Sequence, residues 1–244
     1  ATNTGEGPFL PRERELADKL IIQYPRAPWN KAPEVLKQAD AVEIQFGQGA
    51  STSTAHHADP SRLGGELKKR LGVHAGESAV IYSRMPELGH WGSLKVLVDY
   101  LRDLTGGVPI GVKFAFSHYI EEDIDICLDA GVDYIAVEGA EAATVGAPPI
   151  LEDDFGLPTL IGLCRAARHL QSRDPARRTS LIVAGGFSSP GQYLKALALG
   201  ADAVYLGTMA LFAAYHTQVL KALPFEPPTQ VAFYEGKASG KYDW

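Results

Sequence analysis

Sulfur is scarce in this 244-residue chain, which holds two cysteines and two methionines. Cys127 and Cys164 sit in separate helix-like stretches, and neither belongs to a C-x-x-C pair. That leaves no cysteine cage for zinc or an iron–sulfur cluster, and it points to a reducing compartment. Basic charge is also in deficit: 23 Lys and Arg face 29 Asp and Glu, a formal net charge of -6. A nucleic-acid or anionic-membrane surface would call for the opposite sign. No run approaches the roughly 18 consecutive apolar residues of a membrane span. There is no G-x-x-x-x-G-K-[ST], no G-x-G-x-x-G after a strand, and no recognisable Ser–His–Asp order. A P-loop, a Rossmann site and triad hydrolysis therefore lack support. His56 and His57 adjoin Asp59, but neighbouring histidines aim poorly at one ion, so metal binding is not expected.

What is present is a regular alternation. Short apolar, β-branched runs occur at residues 41–46 (AVEIQF), 79–83 (AVIYS), 110–114 (IGVKF), 134–138 (YIAVE), 181–184 (LIVA) and 203–206 (AVYL). They are near-continuous apolar runs, the signature of parallel strands buried on both faces. Amphipathic helices lie between them, at residues 94–104, 121–130, 160–171 and 190–199. Three of the helical stretches run into glycine-containing turns at Gly106, Gly131 and Gly200, as the αβ turn of a repeating β/α unit requires. Strand ends carry polar or glycine residues: Gln45, Lys113, Glu138, Gly185 and Gly207. In a barrel those ends converge on one mouth, so the expected fold is α/β, a (β/α)8 TIM-type barrel. The length suits one such domain over residues 1–244, with 221–244 as a wrapping C-terminal extension. Six strands and a further one near the amino end fall short of eight. The chain also opens on Ala1 inside a motif-like segment without a signal peptide. We therefore expect a fragment of a longer, cytoplasmic protein, leaving open an upstream membrane anchor.

Several residues could carry chemistry. Gly185 and Gly186 end one strand, and Gly207 and Thr208 end the next; in barrels such paired loops bind phosphate through backbone N–H groups. Lys113 lies inside an apolar strand, where it either reaches out at the strand end or serves an anionic cofactor. Gln45 and Gln48 follow a strand end and either cap the loop or bind a ligand. Glu6, between glycines, is either a solvated turn residue or part of the site.

Taken in order, residues 3–7 (NTGEG), 43–50 (EIQFGQGA), 111–114 (GVKF), 146–148 (GAP), 184–186 (AGG) and 199–208 (LGADAVYLGT) resemble the FMN-binding synthase domain of glutamate synthase. Residues 149–155 (PILEDDF) and 217–230 resemble the stand-alone bacterial type of that family. The resemblance implies an FMN-dependent oxidoreductase that aminates 2-oxoglutarate to L-glutamate through 2-iminoglutarate, or acts on a related amino or keto acid. It implies FMN contacts from Gln45, Lys113, Gly139, Gly185, Gly186, Gly207 and Thr208, a substrate contact from Gln48, and catalytic roles for Glu6 and Lys113; Arg84, at a departure from the family pattern, is expected to supply a compensating basic contact to the substrate. It also places the first barrel strand before Ala1.

Departures from the family pattern fall at the substrate end, in a loop beside the cofactor and after the last strand. Gln45 stands where the family has lysine, residues 49–53 read GASTS for G-A-K-P-G, and residues 82–86 read YSRMP for P-P-P-H-H-D. Residues 138–147 (EGAEAATVGA) replace D-G-G-T-G-A, and no cysteines follow Thr208, so no iron–sulfur cluster is expected. The alternatives are an FMN-binding barrel with altered catalysis that serves as a binding module, or another FMN-barrel enzyme such as a flavin-dependent isomerase. The expected partners are a small-molecule substrate and an unidentified electron donor, without nucleic acid. A homo-oligomer is left open.

Overall fold

The computed structural model describes residues 1–49, 54–58, 65–74, 76–91, 93–143 and 147–222. The chain divides into two compact units, Ala1–Tyr205 and Leu206–Trp244. The expected extension at 221–244 lies almost wholly outside the described residues.

The first unit alternates strands and helices: β1 (Thr2–Asn3), α1 (Pro11–Leu16), β2 (Leu20–Tyr24), α2 (Pro33–Leu36), β3 (Ala41–Gln45), β4 (His56–Ala58), α3 (Gly65–Leu71), β5 (Ala79–Ile81), α4 (Pro86–Trp91) and α5 (Leu94–Thr105). It continues with β6 (Ile110–Ala115), α6 (Ile120–Ala130), β7 (Tyr134–Glu138), α7 (Pro149–Asp154), α8 (Thr159–Arg173), β8 (Ser180–Ala184), α9 (Pro190–Ala198) and β9 (Ala203–Val204). The second unit contributes α10 (Thr208–Ala222). Seven strands form one sheet in the order β1-β2-β3-β6-β7-β8-β9, and every pairing in it is parallel. The sheet is an α/β half-barrel: β1 and β9 are its two edges. Residues 79–81, read from their apolar pattern as a strand of the main sheet, instead pair antiparallel with β4 in a separate two-stranded sheet. His56 and His57 are thus in a strand.

The two faces of the half-barrel differ in chemistry because side chains alternate along each strand. Ile44, Val112, Val137 and Val183 point to the helices. There they meet Leu97 and Leu101 of α5, Ile124 of α6 and Leu163 of α8, all buried. The helices stop where the glycines predict: Gly106 and Gly131 take left-handed φ angles of 74° and 75° and close the last turns of α5 and α6. The other face is concave and polar. Register aligns Gln23, Glu43, Gly111 and Tyr134 in one row, and Gln45, Lys113 and Ala136 in the next.

Candidate functional site

The polar rows meet at the carboxyl ends of β3, β6 and β7. Lys113 comes from the buried middle of β6, and its Nζ lies 2.6 Å from Glu138 Oε1, at the end of β7. Glu138 also accepts a hydrogen bond from the backbone N–H of Gly49. Glu43 is fully buried one row below. Its Oε1 accepts from Asn3 Nδ2 at 2.9 Å and Gln23 Nε2 at 2.8 Å, and its Oε2 from the Tyr205 hydroxyl at 2.8 Å. That last bond joins the end of the sheet to its third strand. Gly111 makes room for the row: a Cβ there would stand 2.1 Å from the Tyr134 ring.

Charge in this cluster is unbalanced, with two buried carboxylates facing one ammonium. Burial works against the Lys113 charge, but the carboxylates of Glu138, Glu43 and Glu6 outweigh it and raise the ammonium above its ordinary pKa. Burial raises the Glu138 carboxyl above the usual carboxylate range, against the pull of Lys113. Burial and the Glu43 charge raise the Tyr134 and Tyr205 phenols, so both remain proton donors. Gln45 is fully buried beside Lys113, and neither amide atom has a hydrogen-bond partner. An unmet buried amide is costly, so it marks a place where another group belongs.

The residues expected from sequence are distributed unevenly. Lys113, Gln45 and the Glu138–Gly139 strand end come together, and the charge of Glu6 reaches Lys113. Gln48 is half-buried in the loop between Gln45 and Gly49. Gly139 and Gly185 meet at Thr159, the first residue of α8. A Cβ at Gly139 would stand 2.0 Å from Thr159 Oγ1, and one at Gly185 2.4 Å from it. Their lack of a side chain thus has a packing cause within the protein, beyond any phosphate. Gly185 and Gly186 both take positive φ angles, 118° and 73°. Gly207 and Thr208 belong to the second unit, where Thr208 opens α10. Arg84 is exposed and follows β5, where it lines a cavity that none of Gln45, Lys113, Glu138 or Gly139 touches. Residues 50–53 of the substrate-end segment and residues 144–146 of the cofactor-side loop 138–147 lie outside the described residues. Among the described residues, no three His, Cys, Asp or Glu side chains are placed to share a metal ion, and no helix is long and apolar enough to cross a membrane.

Three participants escaped the reading of the sequence. Glu43 and Tyr205 are the first two; a carboxylate alternating with Gln45 inside an apolar strand was a signal of the same kind as Lys113. The third is Glu141, whose Oε2 accepts from Thr159 N at 2.8 Å and Thr159 Oγ1 at 2.7 Å. It neutralises the positive end of α8 and left no sequence signal.

Parallel β/α units with a polar cluster at the strands' carboxyl ends define an α/β protein of the barrel-related class. The profile described as "Conserved region in glutamate synthase" matches residues 1–221, and the chain belongs to that family. It is 32% identical over 213 residues to the archaeal-type glutamate synthase [NADPH] of Thermotoga neapolitana, covering 86% of this chain and 42% of that protein. It is 31% identical over 216 residues to the glutamate synthase large subunit-like protein of Rhizobium meliloti, covering 87% and 48%. The chain thus spans less than half the length of these relatives. A mandelate oxidase mutant carrying a monooxide FMN adduct shares the fold, with a TM-score of 0.54 and 19% identity over 87% of this chain and 56% of that one.

Proposed function

We propose that the chain is an FMN-dependent oxidoreductase domain of the glutamate synthase type, acting on 2-oxoglutarate or a related small keto or amino acid. One observation carries the reading: a buried lysine, held by Glu138, stands beside a buried glutamine amide with no partner in the protein. Those residues fit the flavin. The pyrimidine edge of the isoalloxazine ring alternates carbonyl acceptors with an N–H donor, which complements the Gln45 amide. When bound, FMN supplies two-electron redox chemistry that no side chain here can supply. Lys113 offers positive charge to an edge that becomes anionic on reduction. Glu138 and the Gly49 N–H position the cluster, while Glu43, tied to Asn3, Gln23 and Tyr205, sets its charge. Gly185 and Gly186 of the first unit are the proposed phosphate contacts, Gln48 a substrate contact and Glu6 the further catalytic carboxylate. Reducing equivalents come from a donor still to be identified.

The test is a visible spectrum and a thermal melt of the purified protein with added FMN. Bound-flavin bands and a raised melting temperature are expected, both weakened in Lys113→Ala. A protein that gives neither has no flavin site. Gln45 favours a second reading, a flavin-binding barrel with altered substrate, because the resemblance expects lysine there. If 2-oxoglutarate and ammonia fail to reoxidise the anaerobically reduced protein, this second reading replaces the first.

A further inference from the structure

A second site lies on the helix side of the sheet. A cleft of about 910 Å3 opens above the carboxyl ends of β3 and β6, among α4, α5 and α6. Val112 and Phe114, the neighbours of Lys113 along β6, form part of its floor. Their side chains point away from the lysine because successive residues of a strand face opposite sides. None of Gln45, Lys113, Glu138, Gly139, Gly185 or Gly186 lines it. The volume is in the range of small-molecule sites, which are mostly apolar with a few convergent polar groups.

This cleft has that composition. Phe46, Met85, Leu88, Leu94 and Ile126 extend the apolar wall. Two guanidinium groups enter the same space. Arg26 is 1% exposed, and its Nη1 donates to the backbone carbonyls of Thr54 at 3.4 Å and Ser83 at 3.2 Å. These bonds fix the orientation of the fork. Arg84 is exposed, next to Ser83 at the rim. The one carboxylate among the described lining residues, Asp123, accepts from Ser117 Oγ at 2.7 Å. Among the described residues the lining thus carries Arg26, Arg84 and Asp123, and the charge of Glu6 reaches Arg26 from outside it. A guanidinium among apolar walls is poorly solvated, and its planar fork matches a carboxylate. A polyanion would be mismatched to such walls, because they cannot replace its hydration.

We propose that this cleft binds a small organic acid, its carboxylate set on Arg26 and Arg84 and its aromatic or branched body against Phe46, Phe114 and Ile126. It is a site separate from the flavin site proposed above. Nothing in its lining requires FMN.

Calorimetric titration of the whole chain with 3-phenylpropionate and with its primary amide tests this, since the two differ chiefly in charge. The acid is expected to bind, and the amide at least about tenfold more weakly, the loss of one charge-assisted pairing. Arg84→Gln should weaken the acid by a similar factor, and Ile126→Asp should abolish binding. Both positions are exposed, Ile126 by 56%, so both variants should keep their fold, which circular dichroism checks. Saturating FMN should leave the titration unchanged. No binding at millimolar acid, equal binding of acid and amide, unaltered affinity in both variants, or displacement by FMN would each overturn the proposal.

Discussion

Lys113 Nζ and Glu138 Oε1 lie 2.6 Å apart across neighbouring parallel strands, with side chains only 11% and 9% exposed. The pair exists because β6 and β7 set Lys113 beside Ala136 and Ala115 beside Glu138. The small side chain at Ala115 leaves the longer ones to converge from adjacent rows. Burying two charges is tolerable only when each meets the other with good geometry and further hydrogen bonds.

Removing one partner should therefore be far worse than removing both. Lys113→Met alone leaves Glu138 buried near Glu43 and is expected to cost about 3–5 kcal/mol of stability, measured by urea unfolding. The double variant Lys113→Met with Glu138→Leu should recover most of that loss. Single-variant losses below about 1 kcal/mol would show that the pair is solvated.

Gln45→Leu separates stability from ligand binding. The substitution removes two unmet buried polar atoms at similar volume. In the ligand-free protein it should raise stability by about 1 kcal/mol or more, while FMN affinity falls. A less stable variant would mean that the amide has a partner in solution.

At Gly139 the predicted defect is steric. The added methyl of Gly139→Ala would meet Thr159 Oγ1 and the Thr159 backbone, at 2.0 and 2.4 Å. Strain of roughly 1–3 kcal/mol should appear as a lower melting temperature even without FMN. If the variant melts normally and loses only FMN, the glycine serves the ligand and not the α8 contact.

Asp40 should contribute to the acid limb of stability. Its Oδ2 is 2.6 Å from Arg14 Nη1 and accepts from Leu20 N at 2.8 Å, and Lys19 adds a contact at 3.3 Å. The Arg14 bond foremost, then the Leu20 N–H, holds its carboxyl well below the usual range. The folded pKa is thus lower than the unfolded one. The contribution is complete above pH about 4 and is lost as pH falls through the folded value. Asp40→Asn should flatten the fall in urea midpoint below pH about 4, and an unchanged slope would remove Asp40 from the account.

Cys127 should be chemically silent in the folded state. It is buried on α6, and burial pushes its thiol up to about 12, with Asp123 adding to the shift. At pH 8, a disulfide reagent such as DTNB should label at most Cys164 rapidly, and the second thiol only after denaturation. Rapid labelling of both would show that the reagent reaches Cys127, through an opening of α6 or through the cleft that the thiol lines.

How far the sequence could be read varies by element. The β/α alternation, the Gly106 and Gly131 helix ends and the buried Lys113 were all legible, since each depends on local composition or period. The two-stranded β4–β5 sheet was not. Residues 79–81 have the composition of a sheet strand, and the partner that removes them, residues 56–58, is too short and polar to announce itself. Arg26, in a Pro-flanked stretch without periodicity, gave no sign that it would be fully buried.

The sequence by itself determined the repeating unit, the helix boundaries and the charged side chains placed inside apolar strands, because these follow from spacing along one chain. Only the tertiary structure decided which of them meet. Glu43 takes bonds from Asn3, Gln23 and Tyr205, the last 162 residues away. Thr159 likewise fills the space between Gly139 and Gly185. Register between distant strands sets those meetings: the apolar pattern chooses which face of each strand is buried, but which residues then stand side by side is decided only when the strands pair, and a slip of one residue would turn them all to the other face.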